Sequence, residues 1–371
     1  MQRPMPNIYE GPLVDVSTSI LAGLKKVART TAEPFIAIGN GHAAWEMVIT
    51  NSMSRGDKVL VLESGRFAIG WGEAAASHGV EVEVLYASSS RSAVDPEAVA
   101  DRLNADSAHT ISAILVVQTD TASSVRNDIQ AIRAAIDSTG HPALFMVDCI
   151  ASLGCEPYEM DEWKVDVTVG AAQKGLMCPP GISFVWANEK ALAAHQHADL
   201  RNSYWDWTAR LDRSAHYFIY AGTPPIPLLY AMNEALAMIF EEGLENIWRR
   251  HNILATAARA AIETWATPDG MELNILEASQ RSDAVTTILT NSIDVDKMRS
   301  IAEAGAGVTL GLGIGEDYSG KAFRIGHMGH LNPPMLLGTL GVIESVLVAI
   351  DAPMGGSGVA AAAASLSQHL I

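Results

Sequence analysis

The sequence predicts an α/β protein: a three-layer α/β/α arrangement around a mostly parallel sheet, followed by a smaller C-terminal α+β domain. Three observations carry this expectation. Short apolar runs alternate with helical patterns through the first part of the chain, the order that builds parallel strands joined by crossover helices. Asp148 and the turn Asn40-Gly41-His42 each follow such a run, and ligands of open α/β sheets bind at the carboxyl ends of strands. Beyond about residue 265 the alternation changes character, as it would in a second unit.

The elements follow in order. A first helix starts just after Pro12, because proline suits a helix start and not its interior. Leu13, Ile20, Leu21, Leu24 and Val27 then supply one apolar face. Strands are expected at 35–38, 59–62, 82–85, 111–117, 144–147, 165–169 and 182–185, with helices near 42–52, 67–77, 96–103 and 129–137. A long helical region follows Pro227, from about 228 to 265 with a break near Gly243, and bridges to strands at 284–289 and 322–325 and helices at 295–304 and 335–350. The expected division is 1–245 for the larger domain and 246–371 for the smaller one. The tail from Pro353-Met354-Gly355-Gly356-Ser357-Gly358 onward is rich in glycine and alanine; a flexible end and a short docking helix both fit it.

Composition narrows the function. At roughly 150 residues per domain, 371 residues suggest about two domains. With 49% hydrophobic and 18% charged residues, the chain can bury a sizeable core. A formal net charge of −17 argues against nucleic acid and anionic membrane partners. It also means that a carboxylate substrate must be drawn in by a local positive site. Cys149, Cys155 and Cys178 form no CxxC pair, so reduced thiols in a cytoplasmic protein are expected. No charged-then-apolar signal segment opens the sequence. The apolar stretch 335–350 carries Glu344 and is too short to span a bilayer.

The chemistry is carried by two residues. The apolar run 143–147 ends in Asp148, and Lys174 follows 26 residues later, in a turn with Gln173 before it and Pro179-Pro180-Gly181 after it. Alone, the lysine would read as a surface charge and the aspartate as a turn former or cap. Together they are the pair that pyridoxal 5′-phosphate (PLP) requires: an amine for its aldehyde and an acid that keeps its ring nitrogen protonated. Ile38-Gly39-Asn40-Gly41-His42 runs from a strand into a helix, where glycines and the helix N-terminus favour a phosphate.

Several motifs in order resemble the class V aminotransferases of the fold type I PLP enzymes, the serine–glyoxylate and alanine–glyoxylate aminotransferase group. They are Asn40-Gly41-His42 with Trp45-Glu46, Gly56-Asp57-Lys58-Val59-Leu60, Thr119-Asp120-Thr121-Ala122-Ser123, and Asp148 with Ala151-Ser152-Leu153-Gly154. Met160-Asp161-Glu162-Trp163, Gln173-Lys174, Thr223-Pro224-Pro225, Gly243-Leu244-Glu245-Asn246 and Gly320-Lys321-Ala322-Phe323-Arg324-Ile325-Gly326-His327-Met328-Gly329 continue the series. The resemblance covers essentially the whole chain.

It implies a PLP-dependent transaminase in which Lys174 is the Schiff-base lysine and proton-transfer base, and Asp148 partners the ring nitrogen. Phe67 would stack on one face of the ring, Ile150 would pack on the other, and Thr121 would reach its phenolic oxygen. Asn40, Gly41, His42 and Gln173 would surround the phosphate. Tyr220 and Thr223 would complete that site from a neighbouring subunit, which implies a homodimer. Arg324 is the expected substrate-carboxylate anchor; a guanidinium matches a carboxylate in planar fashion, and the alternative is a structural ion pair. The implied donor is serine or alanine and the acceptor glyoxylate or pyruvate. Relatives that use aspartate, 3-hydroxyaspartate or pyridoxamine keep other donors open.

Departures from the family pattern bear on this. Arg3-Pro4-Met5 aligns after an opening segment that carries a Gly-Pro turn in the family, so that segment is expected to be missing or altered. Phe67 replaces the more usual tryptophan, and Ser124 a usual glycine. The cysteine desulfurase branch would need His before the lysine and a later nucleophilic cysteine; here Gln173 precedes it and no cysteine follows Cys178. A truncated, non-catalytic paralogue is the other alternative. His327 and His330 lack a third ligand at helical spacing, so no metal site is expected.

Overall fold

A computed structural model describes residues 4–369; Arg3, which opens the Arg3-Pro4-Met5 segment, lies outside them. Helix α1 (Pro12–Ala28) carries proline in its first turn, buries Leu13, Ile20, Leu24 and Val27, and ends at Arg29 in the left-handed region. Then come β1 (Glu33–Ile38), α2 (Gly41–Ser52), β2 (Lys58–Glu63), α3 (Arg66–Ser77), β3 (Glu81–Tyr86), α4 (Pro96–Ala105) and β4 (Ile111–Val117). A small hairpin, β5 (Thr119–Asp120) with β6 (Val125–Arg126), leads to α5 (Ile129–Thr139), β7 (Leu144–Asp148), β8 (Val167–Ala171) and β9 (Ile182–Ala187).

These strands, the hairpin apart, form one seven-stranded sheet in the order β1-β9-β8-β7-β4-β2-β3. Strand β9 runs antiparallel to both its neighbours, and every other pairing is parallel. Strands β7, β8 and β9 are buried along their whole length, as strands covered on both faces must be. One face packs Leu13 and Leu24 of α1 and Ile132 of α5 against Ile114, Phe145 and Phe184. The other packs Val48 of α2 and Trp71 of α3 against Val61, Leu115 and Met146. The three-layer sandwich expected from the alternation is therefore present.

Helices α6 (Glu189–His195) and α7 (Trp207–Leu211) and a 3-10 turn (His216–Tyr220) follow. The long helical region divides at Gly243 into α8 (Ile226–Glu242) and α9 (Leu244–Trp265), with Gly243 at φ 84°. Next come β10 (Met271–Leu273), β11 (Val285–Thr290), α10 (Val295–Ala306), β12 (Gly311–Leu312), β13 (Ala322–Gly326), α11 (Pro333–Ala349) and α12 (Gly358–Ser367). Their antiparallel sheet has the order β10-β11-β13-β12. Its core joins Leu254 and Trp265 of α9, Met298 of α10, Leu340 of α11 and Leu366 of α12 to Ile288 and Phe323.

One expectation changes, and one open alternative is decided. The strand placed at 165–169 begins instead at Val167, because Asp166 is engaged as an acceptor: its carboxylate takes the Phe145 N–H at 2.8 Å and the Asn188 side chain at 2.9 Å. The tail is a docking helix. Glu344 of α11 accepts from the Ser357 hydroxyl (2.8 Å), the Val359 N–H (3.0 Å) and the Trp265 indole (2.9 Å). Among the described residues no helix is long and apolar enough to cross a membrane.

Burial works to raise the Glu344 pKa, but the Val359 N–H, the Trp265 indole and the Ser357 hydroxyl outweigh it, and the net shift is downward. A lowered carboxyl pKa contributes stability above the ordinary glutamate range that is lost as pH falls through the lowered value. Glu344→Ala is expected to cost about 1–3 kcal/mol, read as a lower Tm, with faster amide exchange confined largely to α12. The difference from wild type should shrink in acid.

Candidate active site

Parallel strands β4, β7 and β8 end side by side, and the N-termini of α2 and α3 face the same edge. A cavity of about 200 Å³ lies there, at the strand ends where this topology binds ligands. Asn40, Gly41 and His42 line it from the start of α2, and Phe67 from the start of α3. Thr121 enters from the β5–β6 hairpin, Asp148 and Ile150 from the end of β7, and Gln173 and Lys174 from the turn after β8. The fold thus gathers into one cavity most of the residues singled out from the sequence.

Local sequence explains the close approach. Asn40 caps α2 by accepting the His42 N–H at 3.1 Å. Gly41 has no Cβ, and one added there would stand 2.3 Å from Ile150 Cδ1, so any larger residue would have to turn the Ile150 side chain aside. Gly175 permits the close approach in the lysine turn: a Cβ would fall 2.3 Å from the Leu153 carbonyl oxygen. Backbone bonds from Met177 N to Lys174 O (3.0 Å) and from Cys178 N to Ala172 O (2.9 Å) close that turn.

Asp148 is 2% exposed. Its Oδ2 accepts from the Trp45 indole at 2.7 Å and its Oδ1 from the Ile150 N–H at 2.7 Å. Burial overcomes these donors and pushes its pKa up to about 7. Lys174 shifts the other way: burial and then the charge of Arg324 hold its amine below the ordinary lysine range, against the opposing pull of Asp148. Gln173 Oε1 is buried without a hydrogen-bond partner. A buried acid awaiting a cation, an amine biased toward its neutral form and a helix N-terminus that favours anions suit a ligand bearing both an acidic group and a protonated nitrogen.

Three of the expected residues stand outside the lining. Arg324, on β13, is held against the wall: its Nη1 donates to the Thr121 carbonyl and its Nε to the Leu312 carbonyl, both at 2.7 Å. No carboxylate forms an ion pair with it among the described residues, so the structural ion pair weighed from sequence is not what holds it. Tyr220 is fully buried, its hydroxyl 2.6 Å from Ser17 Oγ, and Thr223 is exposed; neither lines the cavity of its own chain. His327 Nδ1 donates to the Asp283 carbonyl at 2.8 Å and its Nε2 accepts from Thr286 at 2.9 Å. Burial drives its pKa down to about 4.

The structure adds residues that were given no role from sequence. Trp45 holds Asp148; its position one helical turn after Gly41 was the available signal. Thr119 lines the cavity. Asp120 accepts the N–H groups of Phe67 (2.8 Å) and Ala68 (3.1 Å) through one oxygen and of Ala122 (2.9 Å) through the other, so it fixes the aromatic ring's backbone from across the hairpin.

A mainly parallel sheet with an acid and a lysine at neighbouring strand ends, and an arginine behind the wall, defines a group-transfer enzyme of the α/β type. The sequence matches the family described as "Aminotransferase class-V" over residues 28–316, and the chain belongs to that family. It is 39% identical to a serine–glyoxylate aminotransferase of Methylorubrum extorquens, over 93% of this chain and 86% of that one. It is 36% identical to an L-aspartate–glyoxylate aminotransferase of Paracoccus denitrificans, over 92% and 85%. The crystal structure of a pyridoxamine–pyruvate aminotransferase from Mesorhizobium loti superposes with a TM-score of 0.89 at 26% identity, covering 99% of this chain and 92% of that one. The protein is an aminotransferase.

The raised Asp148 pKa has a measurable sign. Between the ordinary aspartate value of 3.8 and about 7, the folded protein without ligand binds a proton that the unfolded chain does not. Its stability advantage is therefore present below 3.8 and lost as pH rises to about 7. The unfolding free energy of the ligand-free protein, taken relative to Asp148→Asn, should fall across that window by on the order of 4 kcal/mol and stay level above it. Equilibrium urea unfolding at several pH values checks this; a flat difference would show that Asp148 is not protonated.

Proposed function

We propose that the protein is a PLP-dependent, homodimeric cytoplasmic transaminase that moves the amino group of a small amino acid, serine or alanine, to glyoxylate or pyruvate. The observation that carries the reading is the convergence of Lys174 and Asp148 on one cavity of about 200 Å³. Membership of the family and the identity to serine–glyoxylate relatives support it. The larger domain, 1–245, would bind the cofactor, and 246–371 would supply the carboxylate anchor.

The residues fit PLP. Asn40, Gly41, His42 and Gln173, through its side-chain NH2, would hold its phosphate, with Tyr220 and Thr223 contributed by a second subunit. Phe67 and Ile150 would flank its ring, and Thr121 would lie at its phenolic oxygen. When bound, PLP supplies an electron sink for the substrate α-carbon. Asp148, its two oxygens fixed by Trp45 and Ile150, would hold the proton on the ring nitrogen. The positive ring would in turn keep the carboxylate ionised against its burial.

Arg324 would take the substrate carboxylate on the donors left over from its two backbone bonds, which fixes the α-carbon relative to Lys174. Lys174 Nζ, desolvated and biased toward the free amine, would accept the α-proton and deliver it to the cofactor's C4′, the general acid–base step of transamination. The cavity walls formed by Phe67, Ile150 and Val117 would exclude water from that transfer.

The test is an absorbance titration. Purified protein should show a band near roughly 410–430 nm that moves toward about 330 nm with L-serine and returns with glyoxylate. Lys174→Ala should lower turnover by about 10³-fold or more. No such band after incubation with PLP would overturn the cofactor reading; a band that ignores serine but answers alanine or aspartate would overturn the choice of donor.

A further inference from the structure

Glu156 is a fully buried carboxylate with no role in the chemistry above. No lysine or arginine is bonded to it among the described residues; its partners are neutral. Its two oxygens serve different parts of the molecule. Oε2 accepts from the Thr119 hydroxyl at 2.9 Å, and Thr119 lines the cavity. Oε1 accepts from the Ser282 hydroxyl at 2.6 Å and the Asp283 N–H at 2.7 Å, in the segment that leads into β11. A single carboxylate therefore joins the cavity wall to the start of the four-stranded sheet.

That segment is tied to the arginine strand. The Asp283 carbonyl accepts from His327 Nδ1 at 2.8 Å, and the Ala284 carbonyl from the His327 N–H at 2.9 Å, just past the end of β13. Arg324 lies three residues earlier on the same strand, opposite Thr287 of β11. The Asp283 carboxylate is itself held by Arg259 at 3.1 Å and Asn252 at 3.0 Å, both on α9. Glu156 thus grips the rigid end of the strand pair that carries Arg324.

Burying a carboxylate without a bonded cation opposes folding, and an apolar side chain of similar volume would cost less. What the carboxylate adds is fixed geometry: two acceptors, aimed at two pieces of chain, with no freedom to slide. We infer that Glu156 is a positioning residue for substrate binding, setting the distance between Arg324 and the cavity by clamping the β11–β13 pair to Thr119. The inference rests on the reading of Arg324 as the carboxylate anchor.

The test compares steady-state kinetics of PLP-loaded wild type, Glu156→Ala, Glu156→Gln and Arg324→Lys, with amide exchange at Asp283. Glu156→Ala should raise KM for both amino donor and oxo acid by about tenfold while kcat changes less than about threefold, the pattern of lost ground-state binding. Its Asp283 amide should exchange faster. Glu156→Gln keeps an oxygen for Ser282 and Asp283 and should hold KM within about threefold of wild type. If Glu156→Ala fails to fold, Ser282→Ala removes one arm of the clamp and should raise the same KM by about threefold.

Unchanged KM in Glu156→Ala or Ser282→Ala, or Glu156→Gln as impaired as Glu156→Ala, would overturn the inference. Arg324→Lys separates the two claims. A raised KM there beside a wild-type KM in Glu156→Ala defeats the clamp alone, whereas an unchanged KM in Arg324→Lys defeats the anchor reading itself.

Discussion

Everything in the site depends on keeping an anion inside the sheet. Asp148 closes β7, a strand buried at every position, and its carboxyl receives only two N–H donors, from Trp45 and Ile150. Those donors orient it without satisfying its charge, which is why burial carries its pKa to about 7. An acid left half-compensated attracts a cation strongly. Trp45 reaches it because α2 begins against the end of β7, where Gly41 packs on the tip of the Ile150 side chain. Lys174, across the cavity on the next strand's turn, is desolvated by the same walls. The acid and the amine are thus shifted in opposite senses by one apolar enclosure.

The second constraint is the hairpin 119–126. It is too short to contribute much core, yet it is where the two sheets meet. Asn274 donates to the Ser123 carbonyl, the Thr287 hydroxyl to the Ala122 carbonyl and the Thr287 N–H to Ser124 Oγ, while Asp120 reaches back to the start of α3. Phe67, Thr121 and Arg324 therefore belong to different elements but share one scaffold. Displacing the hairpin would move an aromatic wall, a cavity hydroxyl and a guanidinium together. Such sharing makes single-residue roles hard to separate by activity alone, and spectra and KM carry more information than rate.

Legibility in the sequence followed the length and regularity of each signal. The parallel strands and the helix after Pro12 were readable because apolar runs and proline placement act locally. Asp148 and Lys174 were readable because strand ends and glycine-rich turns mark the binding edge. Trp45 carried only its place one turn after Gly41, since a tryptophan in a largely buried helix looks the same whether it packs or donates. The hairpin was not readable, because two-residue strands carry no period. Strand β8 slipped because Asp166 looked like a strand residue until its side chain was seen bonding to Phe145 and Asn188. Glu156 was invisible: a glutamate before a proline reads as solvated, and its partners lie 37 and 126 residues away.

The positive charge behind the wall has a consequence beyond anchoring. The chain carries −17 net charge, so Arg324, read as the anchor, would be a local exception that draws a carboxylate inward. The same guanidinium lowers the proton affinity of Lys174. With Arg324 as anchor, a substrate carboxylate seated on it would cancel most of that field. The amine of Lys174 would then hold a proton more readily at the moment an α-proton is available to it. On that reading arginine would do two things with one charge: help burial keep the amine free before substrate arrives, and strengthen the base when it is neutralised. The coupling requires a fixed distance between β13 and the β8 turn, which is the distance the buried clamp at Glu156 would set.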